Sequence, residues 1–400
     1  MNGMSFRIYS TPEPDDSDLI VIEEISRLRR DIAHYVSHRP RRWVGHLRRM
    51  NFARAVRGSN WIEGYRASLD DVLDVIEDEE PIAVAAQTRS ALTGYRDAVT
   101  YVLELAEDRV AIDESLLKSL HYMMTKHELR IRPGRYRTGD VWVEDENGTR
   151  VYQAPDARLV GGLMGSLVES LDSSDSWPVM FRAAMAHLNL VMIHPFRDGN
   201  GRMARALQTM VLADEGIVSP VFSSVEEYLG RNTAEYYAVL SEVGQGGWHP
   251  HNPARPWTRF MLRAHYRQAW TLQRRVYETE HLYDGLAQAV AARGAPPRSI
   301  GALADAARGR RLQRSIYSKL VEITDGEPIS DLSASRDLRG LTDSGLLTAH
   351  GAGRGRAYHG SADLRQLWSD IRSNRPPRAE DDPYDTLAQQ SLPGIGAAGC

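Results

Sequence analysis

Cysteine is nearly absent from this 400-residue chain: the single one, Cys400, is its last residue. No disulfide can form within the chain, a usage that suits a reducing compartment, and a cytoplasmic location is the expectation. Long apolar runs are missing too. Nothing approaches the ~18 consecutive apolar residues of a membrane span, and the polar, acidic stretch from Met1 to Asp18 lacks the apolar core of a signal peptide. No membrane partner is therefore expected. Nor is there a dominant charge. A formal net charge of −4 gives no global case for nucleic-acid binding, although a local patch remains open. Internal repeats are absent as well. Composition is otherwise ordinary for a globular protein, and the length allows two or three domains.

What is present is mostly helical periodicity. Ile20 to Ser37 carries apolar residues at helical spacing, and Pro40 predicts a stop near His38. The basic run from Arg39 to Arg49, broken by Trp43 and Leu47, reads as a solvated face rather than a nucleic-acid arm. Ser68 begins a capping box with Asp71, and Leu69, Val72, Leu73 and Ile76 then fall on one helix face. Further helices are predicted over 82–105, 113–126, 157–171, 178–193, 201–215, 233–243 and 256–283.

One segment departs from the helical pattern. Val141, Trp142 and Val143, then Asn147-Gly148, then Val151 and Tyr152 read as a hairpin, because Asn-Gly supplies the positive φ angles of a tight turn. A lone hairpin leaves an unpaired edge. That edge either accepts an extended peptide as an added strand or is surface decoration.

The densest chemistry lies in His194-Pro195-Phe196-Arg197-Asp198-Gly199-Asn200-Gly201-Arg202-Met203-Ala204-Arg205. A helix starting near Asn200-Gly201 turns free amides and the positive end of its dipole toward the loop, a setting for an anion. Gly199 and Gly201 clear the approach of a phosphate to the backbone. Arg202 and Arg205, three apart, share a face and offer two guanidinium forks. Asp198 is a hard oxygen ligand suited to Mg²⁺ held jointly with phosphates. His194 has the near-neutral pKa of a base that takes a proton from a hydroxyl.

These twelve positions resemble the signature of the Fic family, H-P-F-x-[D/E]-G-N-G-R-x-x-R. The resemblance implies transfer of AMP from ATP to a Tyr, Ser or Thr hydroxyl of a target protein, the chain itself included. His194 would be the general base and Asp198 the Mg²⁺ ligand. Gly199, Asn200 and Gly201 would form the anion hole, and Arg202 and Arg205 would hold the distal phosphates. Asn232, Tyr236 and Tyr237, in a segment similar to the family's, would line the nucleoside pocket. The hairpin (Val141, Trp142, Val143, Val151, Tyr152), preceded by Gly134-Arg135-Tyr136-Arg137, looks like the family's target-docking flap. Ser59-Asn60-Trp61-Ile62-Glu63-Gly64 resembles the family's inhibitory motif, with Ser59, Glu63 and Gly64 at its defining positions. Glu63 would face Arg205 and spoil the pose of the γ-phosphate, the arrangement of the class with an N-terminal inhibitory helix. Some relatives use that glutamate to remove AMP, and others donate a different nucleotide, phosphocholine or a phosphate.

After about Asp284 the texture changes. An amphipathic helix over 312–323, a second over 333–341 bearing Arg336 and Arg339, and two strands around the turn Gly351–Arg356, with Arg354 in it, resemble a winged helix-turn-helix. Such a module binds DNA, as in a transcription regulator, or a protein. Acids such as Asp325, Glu327, Asp331 and Asp337 weigh against DNA. The expected architecture is mainly α: an N-terminal helical region (1–50), a Fic-type helical bundle with a β-hairpin flap (51–283), a C-terminal winged helix-turn-helix domain (284–372) and a disordered tail (373–400). A homodimer is allowed by the apolar helix stretches.

Overall fold

In the computed structural model of the protein, the described residues are 6–390, except 39–40, 82–83, 109, 146, 173–176, 214–215, 218, 354–355 and 378–380. Two long helices come first, α1 (Asp16–Ser37) and α2 (Arg41–Ile62). Asp15 caps α1 through a capping box with Asp18, four residues ahead of the start read from apolar spacing, and the helix ends at His38 before Pro40. Next come α3 (Leu69–Ile76), α4 (Ala86–Asp108) and α5 (Glu114–Thr125). Ser68 and Asp71 form the capping box of α3. The hairpin β1 (Trp142–Glu144) and β2 (Arg150–Gln153) follows, then α6 (Val160–Asp172), α7 (Val179–Ile193) and α8 (Asn200–Leu212). Two short helices, α9 (Pro220–Ser223) and α10 (Glu226–Arg231), lead to α11 (Thr233–Gly244) and to the longest helix, α12 (Arg255–Ala292).

The central core is the pair α7 and α8, wrapped by α2, α4, α5 and α6. Phe181, Leu190, Ile193, Phe196, Met203 and Leu207 are all buried there. Burial on nearly every side of α7 explains its almost unbroken apolar sequence. Because the loop between α7 and α8 joins two central helices, its geometry is held from both ends.

Beyond α12 lie α13 (Ile300–Ala307), α14 (Arg314–Asp325), α15 (Asp331–Asp343), the hairpin β3 (Leu347–His350) and β4 (Ala357–Gly360), and α16 (Ala362–Ser373). These share a second core with the C-terminal half of α12 and the start of α2, including Trp43, Leu47, Leu286, Leu303, Tyr317 and Leu338. Arg354 of the turn lies outside the described residues.

Several expectations are corrected. The basic run is not a solvated face: it forms the start of α2, where Trp43, His46, Leu47 and Arg49 are buried against the C-terminal helices. Sequence could not show this, since the acids that neutralise Arg49, Glu77 and Asp305, lie far off in the chain. Because α2 runs unbroken through Met50, no boundary falls at 50/51, and α12 continues nine residues past Tyr283. The tail expected to be disordered carries α17 (Pro383–Gln390), which packs on α1: the Tyr384 hydroxyl donates to Asp18 at 2.8 Å and Arg263 pairs with Asp382 at 2.6 Å. Among the described residues no helix is long and apolar enough to cross a membrane.

Candidate active site

His194 ends α7 in the left-handed conformation, φ 51°, and Gly199 precedes α8 in the same region, φ 78°. Between them the chain turns sharply, and Asn200 holds the turn. Its Oδ1 accepts from the Phe196 amide at 2.9 Å, and its Nδ2 donates to the Phe196 carbonyl at 3.0 Å. The Asn200 amide group thus holds the loop through its Oδ1 and one N–H, leaving its backbone and a second Nδ2 hydrogen for an anion. No side chain caps α8, so its first amides keep their hydrogens for a ligand.

The His194 Nδ1 lies 3.2 Å from the Val191 carbonyl. A carbonyl only accepts, so Nδ1 carries the proton and the neutral ring presents a bare Nε2. Burial holds the imidazole below its ordinary pKa, partly offset by that carbonyl and by the carboxylates of Glu63 and Asp198. A depressed pKa keeps the ring neutral, as a base, at neutral pH.

Two residues that the motif does not mark support this loop. Arg137 donates through Nε to the His194 carbonyl at 2.8 Å, and its backbone amide donates to the Pro195 carbonyl at 2.9 Å. The same guanidinium reaches the Gly139 and Pro155 carbonyls on either side of the hairpin. His121, on α5, stacks on Phe196 with ring centroids 3.7 Å apart. Its Nδ1 accepts from the Gly134 amide at 2.9 Å, so Nε2 bears the proton and donates to the Asp198 carbonyl at 3.0 Å. Burial lowers the His121 pKa to about 4. Neither residue was identified from sequence as part of the site. Arg137 lay in a segment read as part of the flap, and His121 looked like any histidine on an amphipathic helix.

Arg205 is 1% exposed. Its Nε donates to the Ser59 hydroxyl at 2.7 Å, and its Nη2 donates to the Ser59 carbonyl at 3.0 Å and to Glu63 Oε1 at 2.6 Å. For the Glu63 carboxyl, burial raises the pKa, but Arg205, Arg202 and the hydrogen bond outweigh it and hold it below the usual range. The same carboxylate presses on Gly201: a Cβ built there would overlap Glu63 Oε1. Glu63 therefore stands at the first turn of α8, where the dipole favours an anion. Gly64, φ 85°, turns the chain out of the helix directly after it. Behind Arg205 sits a second buried acid, Glu226 of α10, which burial raises to about 7.

Arg202 contrasts with Arg205. It is equally buried, yet both its Nε and Nη1 have no hydrogen-bond partner, where Arg205 leaves only Nη1 without one. Its guanidinium lies 5.2 Å from the centre of the Tyr65 ring. Together with Asp198, Tyr65, His127 and Arg130 it lines a pocket of about 390 Å³.

The remaining expected site residues are more dispersed. Tyr236 is 1% exposed, and its hydroxyl lies 3.0 Å from His187 Nε2. It belongs to the core, because its ring is packed between His187 and Trp257, and offers no face to a nucleoside. Tyr237 is exposed and donates to the Ile62 carbonyl at 3.3 Å, while Asn232 Nδ2 donates to the Tyr228 carbonyl at 2.8 Å. In the hairpin, Trp142 pairs with Gln153 and Val143 with Tyr152, while Val141 lies just before the strand. Trp142 and Val151 are exposed. The Tyr152 hydroxyl donates to the Met192 carbonyl at 2.7 Å, tying the hairpin to the end of α7.

A helical bundle that holds a His-to-Arg phosphate-type loop between two central helices, beside a small hairpin, is the architecture of a Fic domain. Residues 111–212 match the family model described as the Fic/DOC family, and this chain carries a Fic domain there. A protein of Nematostella vectensis named protein adenylyltransferase Fic is 29% identical over 212 residues, 51% of this chain and 45% of the relative. The Caenorhabditis elegans protein adenylyltransferase fic-1 is 29% identical over 196 residues, 47% of this chain and 36% of its own length. The chain thus spans less than half the length of these curated relatives. Among solved structures, a Fic family protein from Desulfovibrio desulfuricans G20 superposes with a TM-score of 0.56 at 21% identity, covering 88% of this chain and 98% of that one. A Fic domain-containing signalling protein from Bacteroides thetaiotaomicron gives a TM-score of 0.53 at 18% identity over 65% of this chain and 97% of its own. Both show the fold.

Proposed function

We propose that this chain transfers AMP from ATP to the hydroxyl of a tyrosine, serine or threonine on a target protein, and that Glu63 holds the reaction in check. One convergence carries the reading. At the mouth of α8 stand an imidazole with a bare Nε2, uncapped helix amides and a buried arginine with N–H groups to spare. The names of the relatives, protein adenylyltransferases, agree with it. In this reaction the hydroxyl oxygen attacks the α-phosphorus, its proton passes to His194 Nε2, the bond to the bridging oxygen breaks and pyrophosphate leaves. The α8 amides and Arg202 bind the phosphate oxygens.

The donor set fits Mg²⁺ only as a partner of the nucleotide. Among the described residues no three His, Cys, Asp or Glu converge as a metal site, and Asp198 already accepts from the Gly199 amide at 2.7 Å with one of its oxygens. Asp198 would hold the ion through its other oxygen, with phosphates completing the shell. The ion would neutralise phosphate charge as pyrophosphate departs.

Glu63 occupies the ground the distal phosphates need. While it takes the Nη2 of Arg205 and lies on Gly201, it fills the first turn of α8 that a γ-phosphate would need, so ATP cannot seat in line for attack. This supports the reading of α2 as the N-terminal inhibitory helix. The exposed outer face of the hairpin supports its reading as a target-docking flap. Incubation with α-³²P-labelled ATP and Mg²⁺ tests the whole. Glu63→Gly labels protein strongly, wild type weakly, and Glu63→Gly with His194→Ala not at all. No label from the Glu63→Gly protein on itself or on any lysate protein would turn the reading toward another donor.

A second activity is favoured by one feature of the C-terminal elements, whose order suits a winged helix. Arg336 and Arg339 are exposed on α15, whereas Asp337, the acid between them, is buried and paired with Arg298 at 2.7 Å. That leaves a more basic helix face than the sequence suggests, one fitted to DNA. Duplex affinity that falls steeply with salt would support this; affinity unchanged in Arg336→Ala/Arg339→Ala would count against it.

A further inference from the structure

A second concave site lies on the side of α2 that faces the C-terminal elements. It encloses about 280 Å³, at the small end of ligand pockets. Eight arginines and three acidic residues line it. Much of that charge is already spent. Asp305 is paired with Arg310 at 3.0 Å and with Arg49 at 2.6 Å, and Glu278 with Arg375 at 2.9 Å. Arg275 is paired with Glu227 at 2.7 Å.

Three arginines have no such partner. Arg54, on α2, makes one hydrogen bond, to the Met50 carbonyl at 3.3 Å. Arg308 meets His46, the Ala304 carbonyl and the Thr279 hydroxyl, and lies 4.6 Å from the Trp368 ring centre, but touches no carboxylate. Arg372, exposed on α16, also lines the pocket. Among the lining acids Asp70 forms no ion pair, while Glu278 and Asp305 lie near Arg54 and Arg308 but are each already paired with another arginine. Burial, with Arg275 and Arg308, pushes the Arg54 guanidinium well below its ordinary pKa, against the opposing pull of Glu227 and Glu278. Burial likewise lowers that of Arg308. Guanidinium groups gathered from three helical regions, whose nearest acids are already shared with other arginines, are costly unless an anion joins them. Planar forks converging from different directions match phosphate oxygens, each accepting two N–H bonds.

We infer that this pocket, formed by Arg54, Arg308 and Arg372, binds a small anion carrying two or more phosphate groups. The site is separate from the catalytic loop. Arg54 precedes Glu63 by nine residues on the same helix, roughly 13 Å along its axis. The inference does not rest on the transfer reaction.

The test is calorimetric titration of the full chain with inorganic tripolyphosphate, without Mg²⁺. Wild type binds saturably, with one equivalent assigned to this pocket by the variants that follow. Arg54→Gln and Arg308→Gln each weaken binding tenfold or more, and Arg372→Ala weakens it several-fold. Arg202→Ala, at the catalytic loop, leaves it unchanged. Arg372 is exposed, so its variant keeps the fold, and helical circular dichroism checks the two glutamine variants. No saturable binding by wild type overturns the proposal. So does binding abolished by Arg202→Ala, or full affinity retained by all three pocket variants.

Discussion

At the scale of single residues, the geometry around His194 makes a statement about pH. Burial depresses its pKa, so the ring stays neutral, and able to accept a proton, at pH values where an exposed histidine of pKa about 6.5 is already charged. In the Glu63→Gly protein the acid limb of kcat/KM for AMP transfer is therefore expected below pH ~6.5. Removing Glu63 also removes a charge that raises the His194 pKa, which moves the limb the same way. A limb above pH 7 would place the titrating group elsewhere. Converting His194 to alanine in that background should cost about 100- to 10,000-fold in rate. The Glu63–Arg205 pair has the opposite dependence to a histidine contact. Its carboxyl is depressed, so the pair persists through neutral pH and is lost only as pH falls through that lowered value. Two short motifs marked His194 and Arg205, and separately Glu63, in the sequence, and the structure pairs Glu63 with Arg205 across 142 residues. Tyr236 was misplaced because two adjacent tyrosines on a helix differ by 100° in direction, and only the packing of Trp257 decides which turns inward.

At the scale of elements, α2 is held by a glycine contact. Gly58 on α2 meets Gly230 on α10 so closely that a Cβ added at Gly230 would lie 2.7 Å from the Gly58 Cα. A Cβ at Gly58 would lie 2.8 Å from the Glu227 Cα. Backbone against backbone leaves no side chain to yield, so Gly58→Ala must push the two helices apart. The expected loss is about 1–3 kcal/mol, read by denaturant melting. Because Ser59 follows directly, weaker restraint of Arg205 and faster AMP transfer should accompany it; a stable, equally silent variant would contradict this. Helix positions were readable from apolar spacing and caps, as α3 and its Ser68–Asp71 box show. The two short helices α9 and α10 were not: four and six residues are too few for a period to emerge.

At the scale of the whole molecule, a buried ion network joins α2 and α3 to the C-terminal elements. Arg310 reaches Asp74 at 2.7 Å, Glu77 at 2.8 Å and Asp305 at 3.0 Å, and Arg49 joins Glu77 and Asp305 from α2. Neutralising Asp305 as Asp305→Asn leaves two buried guanidiniums short of a counter-charge, at an expected cost of about 3–5 kcal/mol. Thermal melting checks it, and a loss within 0.5 kcal/mol would mean that the network is hydrated rather than dry. Burial works against the Asp305 carboxylate, but Arg49, His46 and Arg310 hold its pKa down. Its stabilisation is thus complete above the ordinary aspartate range and is lost only as pH falls through that lowered value. Sequence could not foresee the network, since α2 and α3 lie more than 200 residues from the α13 region that completes it. The same α2 carries Arg49 near its start and Glu63 just past its end, with the Gly58 crossing between. At ~1.5 Å per residue the arm from Gly58 to Arg49 is about 13 Å and the arm to Glu63 about 8 Å. The helix is a first-class lever with unequal arms. Any rocking about the crossing moves the Arg49 end nearly twice as far as the glutamate, so motion is geared down, and force geared up, at the Arg205 contact.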